Sequence, residues 1–191
     1  MPRPPLLPTI DWPAVFERGR EAEAWLAAGE NAGHVATMRA LTVSLPVEPA
    51  IEQRVRALTR SVHVVAIAED WCADVVRHAP VLLRLAALTP RLRVRFITRQ
   101  DRLDVFERFL TNGGEAIPQF IFLSESWVET GRWGPMPAAC REVIARGKAC
   151  GDGKTAREIV NRQYAADPDC RAVFEELAHL IDIAATQTLK D

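Results

Sequence analysis

Between residues 12 and 46 the apolar positions Val15, Phe16, Trp25, Leu26, Val35, Met38 and Leu41 recur at spacings that suit amphipathic helices. Breakers near Gly29 and Gly33 divide the stretch into two helices. Residues 48–60, following Pro46, carry Ile51, Val55 and Leu58 at helical spacing and predict a third. The period then changes. Residues 62–68 form an apolar, β-branched run interrupted only by His63, too short for an ordinary helix and suited to a buried strand. Helical spacing resumes over 70–90. Residues 92–98 set Leu92, Val94 and Phe96 against Arg93 and Arg95, the alternation of a second strand.

Asp101 offers an N-cap to a short helix that ends at Thr111-Asn112-Gly113-Gly114. Residues 119–123 and 127–133 read as antiparallel neighbours joined through Ser124-Glu125-Ser126, so the sheet is mixed. Residues 138–146 are helical, Gly151 to Gly153 punctuate, and 155–187 predict two helices separated near Asp167-Pro168. The order is α/β: a helical N-terminal extension over 1–60, a core over 61–150, and C-terminal helices over 151–191 packed on that core as a single compact domain. No internal repeat is visible.

Charge narrows the range of partners. Lys plus Arg number 24 and Asp plus Glu 25, so no excess of either sign draws nucleic acid or an anionic membrane from a distance. Residues 1–8 are Pro-rich, with Leu6 and Leu7 the only adjacent large apolar residues, which is not the continuous stretch of a secretory signal. No run approaches the length that spans a bilayer. The cysteines stand at 72, 140, 150 and 170, without C-x-x-C spacing, which suggests neither a zinc knuckle nor a dense disulfide framework. The expectation is a cytoplasmic chain with its thiols largely reduced, no metal and no cofactor. No oligomeric state follows from the pattern.

At the hand-over from first strand to helix stands Glu69-Asp70-Trp71-Cys72-Ala73-Asp74-Val75. Pro80 follows the thiol by eight residues, Ile117-Pro118 precedes a strand, and Trp133-Gly134 closes the next one. In these elements, taken in order, the chain resembles the thioredoxin superfamily. More narrowly, E-D-W-C-x-D, the stretch from Thr111 to Pro118 and Gly131-x-Trp133-Gly134-Pro135, with the region of Tyr164, resemble a bacterial group of thioredoxin-like proteins with a helical N-terminal extension.

The resemblance implies a thioredoxin fold, Cys72 as nucleophile and a cis bond before Pro118. It also implies a substrate groove formed by Trp71, Ile117, Pro118, Trp133 and Gly134. Partners would be protein or low-molecular-weight thiols and disulfides. A thiol in the first turn of a helix faces unpaired N–H groups and the positive end of the dipole, which favours thiolate, while Asp70 and Asp74 oppose it. Two positions depart from the dithiol pattern of the resemblance. Val75 stands where a second cysteine would resolve the mixed disulfide, and Ala66 where a buried carboxylate would assist proton transfer. A monothiol oxidoreductase is one expectation, with Cys140 as a possible resolving thiol. A non-catalytic interaction module that has lost redox turnover is the other.

Bland readings stand beside these. Cys140 among Ala138, Ala139, Val143 and Ile144 suits simple packing. Asp70 and Asp74 suit capping of the helix that follows. Trp71 and Trp133 suit either a groove or buried area. His78, six residues beyond Cys72, falls on a largely different helical face and reads as structural. Gly151 to Thr155 lacks the leading glycine of a phosphate loop and reads as a helix-start turn.

Overall fold

The computed structural model describes residues 7–188; the Pro-rich start at 1–6 and the last three residues of the chain lie outside them. Four strands form one sheet in the order β2-β1-β3-β4: β1 (Val62–Ile67), β2 (Leu92–Ile97), β3 (Gln119–Leu123) and β4 (Glu129–Trp133). β1 runs parallel to β2 in the register Val62 to Leu92, and antiparallel to β3 with Ala66 opposite Phe120. β3 and β4 are antiparallel. Both central strands are buried at every residue, which is why they read as apolar runs broken only by His63 and Gln119, whereas β2 alternates because Arg93 is exposed.

The N-terminal region holds α1 (Trp12–Arg18), α2 (Ala22–Ala27), α3 (Ala32–Ser44) and α4 (Pro49–Arg56). That is one helix more than the periodicity predicts. The additional break falls at Gly19 and Arg20, where the chain pairs with the edge of β2: Arg20 and Phe96 exchange both main-chain hydrogen bonds at 2.8 Å. The pairing is tertiary and leaves no mark in a local pattern. α1 lies on one face of the sheet, with Phe16 edge-on to His63 and under the guanidinium groups of Arg93 and Arg95. Trp25 of α2 stacks on Phe96 at 4.1 Å and donates its indole N–H to the Ala68 carbonyl.

Beyond β1 comes α5 (Ala73–Ala86), with Pro80 inside it, and beyond β2 the short α6 (Leu103–Phe106), continued by one 3₁₀ turn to Phe109. Asp101 does not cap α6. It closes a reciprocal turn with Thr98, each side chain accepting from the other's main-chain N–H at 3.0 Å. β4 starts later than the pattern predicts because Trp127, at positive φ, leaves the ladder to stack on His63 at 4.0 Å. α7 (Ala138–Ala149), α8 (Gly153–Ala166) and α9 (Arg171–Ala184) complete the chain. Asp152 accepts from the Thr155 N–H and starts α8, as the helix-start reading requires. The sheet is therefore mixed and flanked by helices, with helical additions at both ends. Among the described residues no helix is long and apolar enough to cross a membrane.

Candidate functional site

Cys72 is the N-cap residue of α5, one position before the first helical turn. Its side chain is partly exposed, and Sγ lies 3.5 Å from the carbonyl oxygen of Ile117. The Ile117–Pro118 bond is cis. The main-chain N–H of Ile117 has no hydrogen-bond partner among the described residues, and its carbonyl has only the thiol. Burial pushes the Cys72 thiol above its ordinary range; the N–H groups of Val75 and Asp74 pull it down, and the carboxylate of Asp74 pushes it up. The expectation that the helix end would favour thiolate is thus corrected. Desolvation of the sulfur outweighs the amides that face it.

The turn that presents the thiol is fastened from two sides. Glu69 accepts from the side chain and the main-chain N–H of Arg99 at 3.0–3.2 Å and from the Trp71 indole at 2.6 Å. Hydrogen bonds from Arg99 and Trp71 keep the Glu69 carboxyl below the usual carboxylate range, although burial opposes this. Arg99 also pairs with Glu115 and lies 5.2 Å from the centre of the Trp71 ring, which remains 55% exposed. On the other side, Asp70 accepts from the main-chain N–H of Asn31 at 2.6 Å, and its carbonyl lies 2.7 Å from Nδ1 of His34. Asp70 therefore fastens the start of α3. It does not cap α5, and no side chain does.

Asp74 does not cap α5 either. It accepts the Tyr164 hydroxyl at 2.9 Å on Oδ1, and Arg157 lies 3.7 Å from Oδ2. Both partners come from α8. The Tyr164 oxygen is 3.2 Å from Nε2 of His78. Because the hydroxyl proton is directed at Asp74, Nε2–H of His78 is the donor to that oxygen. Nδ1 is then the bare nitrogen, buried and without a partner among the described residues. Burial lowers the His78 pKa to about 3, so the ring is neutral at ordinary pH, and burial together with Asp74 raises the Tyr164 hydroxyl far above its usual range. The result is a directed chain, His78 to Tyr164 to Asp74, that ends on a fixed negative charge two residues from the sulfur. Arg77 secures α8 by donating to the carbonyls of Tyr164 and Asp167.

Of the groove residues expected from the sequence, Trp71 alone is exposed. Ile117, Pro118 and Gly134 are buried. Trp133 is 2% exposed, stacks on Phe120 and donates its indole N–H to Glu176 at 2.6 Å, so it supports the bend from behind instead of lining an open groove. Gly134 sits at φ +135°, where a Cβ would lie 2.1 Å from the Pro118 oxygen. No side chain fits between these two backbones.

Val75 is fully buried beneath the thiol turn, and Ala66 is buried in β1. Cys140 belongs to a small apolar cluster with Met136 and Val160, separate from the main core against which Cys72 packs. All four cysteines are free thiols, with Cys140 and Cys170 buried and Cys150 exposed. No group of three or more His, Cys, Asp or Glu side chains among the described residues is placed to hold a metal ion. Sequence reasoning missed the bond from Tyr164 to Asp74, since 90 residues separate the partners and no local pattern links them.

The family model described as thioredoxin matches residues 20–154, a span that includes the thiol turn and the proline bend and ends where α8 begins. No curated protein matches the chain. Among solved structures, a protein of unknown function from Pseudomonas aeruginosa is similar, with a TM-score of 0.68 at 17% identity, over 91% of this chain and 98% of that one. An HIV epitope-scaffold superposes equally well, with a TM-score of 0.69 at 17% identity and the same coverage.

Proposed function

The chain belongs to the thioredoxin family, and on that premise we propose that it is a monothiol exchange protein that forms mixed disulfides through Cys72. One observation carries this reading: a partly exposed thiol at the start of α5 stands 3.5 Å from a main-chain carbonyl whose residue's N–H has no hydrogen-bond partner among the described residues. Such a pair of main-chain groups suits an extended peptide laid across the sulfur. In the reaction the Cys72 thiolate attacks one sulfur of a disulfide, forming a new S–S bond. The old bond breaks, and the departing sulfur takes the electron pair and the proton that Cys72 gave up. A second thiol from a protein or a small molecule then releases Cys72. With Val75 in place of a nearby thiol, the resolving partner comes from outside. The motifs fit a bacterial thioredoxin-like protein that works in the cytoplasm, where such thiols are abundant.

The burial of the thiol and the apolar Val75 and Ala66 favour a second reading, an interaction module that keeps the Trp71 face and has lost turnover. One experiment separates the two. Native protein is incubated with a disulfide-linked peptide, and the adducts are mapped by mass spectrometry alongside Cys72→Ser. Exchange predicts an adduct on Cys72 that a small thiol removes. Adducts confined to the exposed Cys150 would overturn exchange and leave the binding reading. Mild oxidation in the same experiment is expected to give no peptide linking Cys72 to Cys140.

A further inference from the structure

On the far side of the proline bend a cleft of about 410 Å³ opens between the turn after the 3₁₀ segment, the end of β4 and α7. Thr111, Asn112, Arg132, Gly134, Arg141 and Glu142 line it. Its charge is uneven. Arg132 is exposed and, among the described residues, makes no ion pair; its guanidinium lies 6.0 Å from the centre of the Phe109 ring. Arg141 gives one N–H to the Gly134 carbonyl at 2.9 Å and likewise meets no carboxylate. Glu142, the acid in the lining, is already held by Arg146. Glu129 acts on Arg132 only through the field along β4. Two guanidinium groups thus line one concavity without a directly bonded carboxylate among the described residues, and their planar forks match one.

The cleft shares a wall with the thiol site. Gly134 lies so close against Pro118 that a Cβ would clash with its oxygen, and the next carbonyl back, that of Ile117, touches the sulfur. We propose that this cleft is a carboxylate subsite for the substrate of Cys72, selecting disulfides or peptides that carry an acidic group on the side of the bend away from the sulfur. The proposal rests on the exchange reading for its purpose and on the two arginines for its chemistry.

Two measurements test it. The first compares rates of adduct formation on Cys72 with 3,3′-dithiodipropionate, a dianionic disulfide, and cystamine, a dicationic one, at low ionic strength. The protein is expected to prefer the anion. Arg132→Gln should cut that preference about threefold, in keeping with a solvent-exposed charge pair, and Arg132→Lys should restore part of it. An unchanged ratio in Arg132→Gln would overturn the subsite while exchange stands. The second measurement needs no exchange: glutarate is titrated into Cys72→Ser protein, with the arginine side-chain resonances followed by NMR. Saturable shifts at Arg132 and Arg141 support the subsite whether or not Cys72 reacts, and their absence sinks it. Failure of both disulfides to modify Cys72, with those shifts present, would instead count against the exchange reading.

Discussion

Replacing Asp74 with Asn tests whether the fixed carboxylate restrains the sulfur. The substitution removes one negative charge and keeps an oxygen that can accept the Tyr164 hydroxyl, so the docking of α8 is retained. Groups at the start of one helical turn sit on the order of 6 Å apart, where unit charges interact by about 3 kcal/mol at an effective dielectric of 20 and about 0.7 kcal/mol in water. Cys72 and Asp74 are both partly open to solvent, and Arg157 already offsets some of the charge. Screening therefore favours the lower figure. About 0.7 kcal/mol corresponds to roughly a threefold rise in thiolate at neutral pH, at 1.4 kcal/mol per factor of ten.

The assay is alkylation by iodoacetamide, followed on the Cys72 peptide so that the exposed Cys150 does not enter the rate. Asp74→Asn is expected to label about threefold faster than wild type at pH 7 by the same conversion. The two rates should converge at high pH, where Cys72 is ionised in both proteins. A variant that labels at the wild-type rate, or more slowly, would show that the carboxylate does not act on the sulfur.

Two further outcomes follow from the same geometry. Gly134→Ala places a methyl group against the Pro118 oxygen at a φ that side chains rarely adopt, and is expected to cost about 3 kcal/mol; a urea midpoint near that of wild type would refute the close approach. His78 titrates at about 3 in the folded chain against an ordinary 6.5, so the unfolded chain binds more protons between those values. Stability is then complete above 6.5 and is lost as pH falls toward 3, with a slope approaching about 1.4 kcal/mol per pH unit. Urea melts between pH 7 and 5 should show the decline, and His78→Leu should flatten it.

How far the sequence speaks depends on how local each cause is. β1 and β3 announce themselves because burial on both faces demands apolar residues at almost every position, the buried His63 and Gln119 aside. The change of period also places Cys72 at a helix start, whereas Pro118 beside it is what the family resemblance implies. It does not place Trp133, whose aromatic area suits a groove as well as the core; the hydrogen bond to Glu176 and the stack on Phe120 decide the matter. Nor does it place Asp70 and Asp74, which look like caps from spacing alone, because their true partners Asn31 and Tyr164 lie 39 and 90 residues away. The direction of the Cys72 shift is hidden for a related reason: a helix end can be read from the sequence, whereas the desolvation that overrides it comes from packing.

Asp70 and Asp74 give the thiol turn an unusual mechanical situation. One is held by the start of α3 and the other by α8, so the sulfur lies at a keystone between the two ends of the chain. Such contacts open by local fluctuation at far lower cost than the sheet. The position of the thiol turn thereby depends on helices far along the chain in both directions, as well as on the strands beside it.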